Sequence, residues 1–225
     1  METLWKLSVL LEVADVIPNR EEMKKALEIR HGKELQEKFS QAKVAVCGLG
    51  GLGSNIAVSL ARAGIGKLLL VDDDKVDITN LHRQQYKACQ VGMYKTDALL
   101  SNLKEIAPYI HVEKYTGRIT EENACDILQG VDIICEAFDA AQEKAMLVNT
   151  VLEKMPEKYL IAASGMAGLG TANSIKTRKI TDKFYLCGDE VSEVSKESTL
   201  FSTRVMLCAA HQAHMVLCII GGQHE

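Results

Sequence analysis

The chain has 225 residues, 26 Lys and Arg against 30 Asp and Glu, a net charge of −4 and a pI near 5.9. Its 47% hydrophobic and 25% charged residues suit a globular protein with one sizeable core, and the acidic balance argues against whole-surface attraction to nucleic acid or an anionic membrane. The LWKLSVLLEVADVI stretch is broken by charge and followed by no small-residue cleavage site, and VMLCAAHQAHMVLCIIGG contains two His and a Gln; the first does not read as a signal peptide nor the second as a membrane span, so a cytoplasmic protein is expected.

In chain order, residues 20–40 read as helical segments broken near Gly32. KVAVCG (43–48) reads as a strand, SNIAVSLARAG (54–64) as a helix stopped by Gly64, and KLLLVD (67–72) as a second strand. A helix over 93–109 ending near Pro108, a strand over 111–119 and a short helix over 120–130 capped by Thr120 follow. Then come a strand (131–138), a helix (142–155), a strand (159–166), irregular β structure over 170–187 and a closing helix over 200–220. Strands that are apolar almost throughout and alternate with helices predict an α/β, Rossmann-like, mostly parallel sheet with helices on both faces. Residues 1–40 are expected to form an N-terminal helical extension and 41–225 the domain proper.

After the first strand, Gly48-Leu49-Gly50-Gly51-Leu52-Gly53 opens a helix. This G-x-G-x-x-G pattern gives a tight turn and close backbone approach to phosphate at a helix N-terminus. Asp72 ends the next strand, where a carboxylate can take ribose hydroxyls. Both a dinucleotide and ATP fit that pattern. A tight packing turn without a ligand is the plainer alternative.

The stretch that follows, D-D-D-K-V-D-I-T-N-L-H-R-Q (72–84), separates the two cofactors. Asn80, Arg83 and Gln84 come directly after the ribose carboxylate, and Lys95 starts the next helix. Arg is a planar fork suited to phosphate oxygens and Lys a mobile point charge. This claw suits a triphosphate and the charge that develops during its cleavage, and argues against an NAD-dependent oxidoreductase. Asp139, just past the fourth strand, either holds Mg²⁺ bridging phosphates or caps the helix that follows.

Taken together, these stretches resemble the ThiF/MoeB/HesA family of ubiquitin-activating-enzyme-like adenylyltransferases, over roughly residues 19–220. SNIAVSLARAG, EAFDAAQEKAMLVNTVLEK, AASGMAG and SIKTRK resemble the short thiamine-biosynthesis ThiF type. The resemblance implies that Gly48, Gly50, Gly51 and Gly53 line the nucleotide and Asp72 binds its ribose, with Asp74 in the same acidic motif. It implies that Asn80, Arg83, Gln84 and Lys95 contact phosphates, that Arg83 and Lys95 stabilise the transition state, and that Asp139 holds Mg²⁺. Arg20 best matches an N-terminal Arg that reaches the partner subunit's ATP site in a homodimer. The implied partner is a ThiS-like sulfur carrier protein with a C-terminal Gly-Gly. Its carboxylate would attack the α-phosphate of ATP and release pyrophosphate, by positioning and charge neutralisation rather than a side-chain nucleophile.

The chain also departs from the family. Many relatives hold zinc with two CxxC pairs; the seven Cys here contain no CxxC, so no zinc is expected and reduced core thiols are the default. Cys187 reads as a thiol in a polar loop, either sulfur-handling or a leftover structural Cys, its pKa raised by Asp189 and Glu190. His211 and His214 share one helix face and read as core or interface residues; His82 reads as pointing away from the claw. Rival functions are adenylation of a tRNA-base carboxylate, as in the dehydratase branch, and a non-catalytic scaffold that binds a carrier.

Overall fold

The computed structural model describes residues 17–195 and 198–223. Residues 1–16, most of the first half of the expected extension, lie outside them. Helix α1 (Arg20–His31) starts from a capping box in which the Asn19 side chain accepts from Glu21 and Glu22 N–H and the Glu22 carboxylate accepts from Asn19 N–H. Gly32, at φ +83°, breaks it from α2 (Lys33–Gln41). The second helix is not a free extension: Phe39 is buried in the main core, a burial worth roughly 1.5–3 kcal/mol. Gly66 leaves its Cβ position to the carbonyl of Ser40.

The domain is a seven-stranded sheet of β1 (Lys43–Cys47), β2 (Lys67–Asp72), β3 (His111–Thr116), β4 (Ile133–Glu136), β5 (Tyr159–Ala163), β6 (Lys176–Thr181) and β7 (Phe184–Gly188). Their order is β3-β2-β1-β4-β5-β7-β6, and all pairs are parallel except β6 with β7. Helices α3 (Gly51–Ala63), α4 (Lys95–Ile106), α5 (Ala124–Leu128), α6 (Ala141–Lys154) and α7 (Ser202–Gly221) complete it. Alternate strand residues feed two cores. Val44, Val46, Leu68, Leu70 and Cys135 face one side with α3, α4 and α7, while Ala45, Cys47, Leu69, Val71 and Ile134 face the other with α5 and α6. That is why the inner strands carry no polar alternation.

The expected elements form, with local corrections. Helix α3 starts three residues before Ser54, because the glycine loop is itself its first turn, and it ends at Gly64 in the left-handed conformation. Helix α4 starts at Lys95 and ends at Ile106, two residues ahead of Pro108. Thr120 does not cap α5. The residue before that helix is Asn123, whose Oδ1 accepts from Thr120 N–H. The β structure after 170 resolves into the antiparallel pair β6 and β7, with one break in register between Lys179 and Thr181. Helix α7 is long and apolar enough to cross a membrane by length and composition, yet half of it is buried. Its Gln212 Nε2 donates to the carbonyls of Glu136 and Ile161 inside the core.

Because β2 and β3 lie on one side of β1 and β4 on the other, the chain reverses direction between β1 and β4. In open α/β sheets the ligand crevice forms at the carboxyl ends of the strands flanking such a reversal. The glycine loop follows β1 and Asp139 follows β4.

Candidate active site

Two glycines of the loop are demanded by packing. Gly48 has φ +89°, and a Cβ on it would lie 2.7 Å from the Ala137 backbone; a Cβ on Gly53 would lie 1.8 Å from the Gly48 carbonyl. Gly50 differs: a Cβ there would meet only the Gln84 amide, at 3.7 Å. The space over Gly50 is open and faces the claw. Gly50 precedes α3 without any side-chain cap, which leaves the helix N-terminus free to face an anion. Gly51 lies against Val205 and the Arg83 stem.

The loop is clamped at Leu49. Its N–H donates to Asp72 Oδ2 at 2.6 Å and its carbonyl accepts from the Tyr86 hydroxyl at 2.7 Å. Asp72 Oδ1 accepts from Asp74 N–H at 2.8 Å. Burial holds the Asp72 pKa above its ordinary value, although Lys95 and these two backbone bonds pull the other way. An ionised carboxylate has about four acceptor positions, so two backbone bonds leave room for ribose hydroxyls. Lys95 is buried, with Nζ 2.6 Å from Asp74 Oδ2 and 3.8 Å from Asp72 Oδ1. Asp72, Asp73 and Asp74 form the one cluster of three possible metal ligands among the described residues.

The claw begins in a 3₁₀ turn over Ile78–Asn80 and continues through a turn that carries Arg83 and Gln84, ahead of a second 3₁₀ turn over Ala88–Gln90. Thr79 donates to Asp77 from both its N–H and its hydroxyl, and this holds the Asp77 carboxyl below its ordinary pKa. Asn80 Oδ1 accepts from Arg83 Nη2 at 3.1 Å, and His82 Nε2 lies 3.5 Å from Arg83 Nη1. Among the described residues no carboxylate pairs with Arg83, and its Nε and the Gln84 Oε1 are buried without a hydrogen-bond partner. Behind them the claw is bolted to α3. Asn55 Nδ2 donates to the carbonyls of Gly51 and Arg83, Gln85 Nε2 donates to Asn55 Oδ1, and Gln85 N–H donates to Ser54 Oγ. Ser54, Asn55, Gln85 and Tyr86 were not singled out by the sequence. The visible signal was two polar residues opening an apolar helix, and Gln85-Tyr86 directly after the claw.

The fold brings the glycine loop, Asp72, Asp74, Asn80, Arg83, Gln84 and Lys95 to one crevice. Asp139 lies on the turn whose backbone touches Gly48. It is exposed and makes no hydrogen bond or ion pair among the described residues. The residue at the cap position of α6 is Ala140, so Asp139 does not cap that helix. Arg20 is elsewhere: its guanidinium stands over the Tyr109 ring, just before β3 and therefore at the amino ends of the parallel strands. Within one chain it does not join the site.

Cys187 is not in a polar loop. It is a β7 residue paired with Ala163, fully buried, and burial, rather than Asp189 or Glu190, pushes its thiol up to about 11. Among the described residues its sulfur meets Thr177 Oγ1 at 3.5 Å, which also meets His211 Nδ1 at 2.9 Å. Burial and then His214 hold the His211 pKa below its ordinary value. The His82 ring sits between the carbonyls of Thr79 and Leu200 at 2.9 and 3.2 Å, tying the claw to the segment ahead of α7.

The fold and this crevice define an α/β protein of Rossmann-like type with a glycine loop and a cationic claw at the reversal of its sheet. The ThiF family model matches residues 24–225, and the chain belongs to the ThiF family. Over 136 residues it is 35% identical to the adenylyltransferase and sulfurtransferase UBA4 of Lodderomyces elongisporus, a match covering 60% of this chain and 30% of that protein. It is 37% identical over 127 residues to the adenylyltransferase and sulfurtransferase MOCS3 of Aedes aegypti, covering 56% of this chain and 29% of that one. The matched stretch is thus under a third of the length of either relative. Among solved structures, E. coli tRNA N6-threonylcarbamoyladenosine dehydratase in complex with ATP shares the fold with a TM-score of 0.81 at 20% identity, over 92% of this chain and 98% of that one. E. coli MccB with AMPCPP and MccA follows with a TM-score of 0.65 at 25% identity, over 85% of this chain and 59% of that one.

Proposed function

We propose that this chain is an ATP-dependent adenylyltransferase acting on the C-terminal Gly-Gly carboxylate of a small ubiquitin-like sulfur carrier of the ThiS type, in thiazole formation for thiamine. The observation that carries the reading is Arg83: a half-buried cation beside an uncapped helix N-terminus, with no carboxylate partner among the described residues and with its Nε unpaired. A protein that leaves a guanidinium so placed has reserved it for an anion from outside.

The steps follow from the crevice. The triphosphate lies over Gly50 and the start of α3, with its ribose at Asp72. A carrier carboxylate oxygen attacks the α-phosphorus; the new O–P bond forms as the bond to the bridging oxygen breaks, and pyrophosphate leaves with that electron pair. Arg83 neutralises the developing charge. Lys95 contributes once phosphate draws it from Asp74, whose exposed carboxylate is then free to be solvated. Asp139 fits Mg²⁺ because its carboxylate is unpaired at the edge of the crevice; the ion supplies charge neutralisation on the phosphates. We further propose a cytoplasmic homodimer, in which Arg20 can act only from the partner subunit, and a site without zinc.

A second reading is supported by the dehydratase, which this chain matches over 98% of that structure's chain: the acceptor would be a tRNA-base carboxylate. The net charge of −4 favours the protein acceptor. The test is ATP–pyrophosphate exchange with Mg²⁺, run with a Gly-Gly-ended carrier, with tRNA, and with neither. Exchange that needs the carrier and vanishes in Arg83→Ala supports the proposal. Exchange that needs tRNA supports the second reading, and a chain that binds no ATP sinks both.

A further inference from the structure

Strand β4 ends on a carboxylate that takes no part in the proposed reaction. Glu136 is 0% exposed. Its Oε1 accepts from Phe138 N–H at 2.8 Å and its Oε2 from Lys144 Nζ at 2.5 Å. Its carbonyl accepts from Gln212 Nε2 of α7. One residue therefore joins the strand end, the turn after it, the second turn of α6 and the closing helix.

The turn so held, residues 137–140, carries Asp139. Its backbone also fills the place that a side chain on Gly48 would need, and Ala137 N–H donates to the Cys47 carbonyl at 2.8 Å. The turn is thus pressed against the glycine loop on one face and tied to Glu136 on the other. Helix α6 has no side-chain cap, so the Glu136–Lys144 pair takes over the fixing of how this helix leaves the strand. Stability alone does not call for it. A buried ion pair is often no better than an apolar pair of the same volume, because both ions lose their hydration. What an ion pair adds is direction: Oε1 and Oε2 each point to one partner.

The geometry points to Glu136 and Lys144 as positioning residues that set the Asp139 carboxylate against the glycine loop, where Mg²⁺ and nucleotide phosphates meet. This rests on the adenylyltransferase reading and on Asp139 as the Mg²⁺ ligand. Neither residue touches the reacting atoms.

The test uses the full chain and Mn²⁺ as the probe ion, with its binding to the protein–ATP complex followed by EPR. Asp139→Asn is the reference. Glu136→Gln keeps the size and the Phe138 bond but removes the charge, and Glu136→Gln with Lys144→Met removes both charges without leaving one unpaired. The expected result is that Asp139→Asn and the double variant each weaken Mn²⁺ binding about tenfold, while ATP affinity in EDTA stays within about twofold of the parent. If the double variant folds and holds Mn²⁺ like the parent while Asp139→Asn does not, the pair is only structural and the inference is overturned. If ATP affinity in EDTA falls equally, the pair acts on the glycine loop instead, and the inference is again overturned. If Asp139→Asn itself keeps parental Mn²⁺ affinity, the Mg²⁺ assignment fails and takes the inference with it. Should the double variant not fold, the same comparisons are read on Glu136→Gln alone.

Discussion

Two arginines divide this molecule. Arg204, in the first turn of α7, is 6% exposed, and although its Nε is as partnerless as that of Arg83, both its terminal nitrogens are engaged: Nη1 donates to the carbonyls of Gly170 and Thr171 at 2.8 and 2.9 Å, and Nη2 to Ser174 Oγ and the Asp189 carboxylate. Arg83 has an Asn oxygen and little else. Both are guanidiniums beside loops that follow strands of one sheet, β1 for Arg83 and β7 for Arg204. One staples two loops to a helix; the other is held in place by its neighbours but left electrically unanswered. The lesson is that burial alone does not mark a functional cation. The missing counterion does.

The comparison breaks most visibly if the two arginines are exchanged in effect. Arg83→Ala should lower carrier-dependent pyrophosphate exchange by about 10³-fold and change stability by under about 1 kcal/mol, read by exchange kinetics and urea unfolding. Arg204→Ala should do the reverse at the level of stability, costing about 3–5 kcal/mol because Asp189 is left without its cation. If Arg83→Ala unfolds the chain, or Arg204→Ala leaves it intact, the division is false.

Acid sharpens the same contrast. Burial raises the Asp189 pKa, but hydrogen bonds from Ser192, Val191 and Arg204 outweigh it and hold the carboxyl at about 2, below its ordinary 3.8. A carboxyl depressed on folding stabilises above its unfolded pKa, and that stabilisation is lost as pH falls through the folded value. The parent should therefore lose stability between roughly pH 4 and pH 2, and Arg204→Ala should lose less over that window, in urea unfolding at stepped pH. Smaller effects belong to the clamp and the core. Tyr86→Phe should cost about 1 kcal/mol and weaken ATP binding a few-fold by freeing the Leu49 carbonyl, read by calorimetry. Cys187→Ala should cost about 1–2 kcal/mol and leave exchange within about twofold; loss of exchange would give that buried thiol a role its burial argues against.

What the sequence disclosed and what it hid divide along contact range. Asp72 and the claw are contiguous, and the glycine loop precedes them by one helix and one strand, so their chemistry is legible in a short stretch of text, and the apolar strands announce a covered parallel sheet. Arg204 stands in an apolar helix pattern, and nothing local ties it to Asp189. Cys187 precedes Gly-Asp-Glu and so read as loop. Only its pairing with Ala163 makes it strand. Glu136 was visible as a lone acid ending the strand IICE, yet its meaning depends on Lys144 and Gln212. The cap at Thr120 failed because Asn123 lies closer to the helix and accepts from Thr120 instead.

The unequal glycines have a use for whoever wishes to alter this protein. An alanine at Gly48 or Gly53 would have to displace backbone, so those sites answer to the fold. An alanine at Gly50 would meet only a side-chain amide at 3.7 Å, and its methyl would intrude on nothing but the space kept for a visitor. Gly50→Ala is therefore a bump that the chain itself tolerates. It offers a way to exclude the proposed nucleotide and to admit trimmed analogues by design.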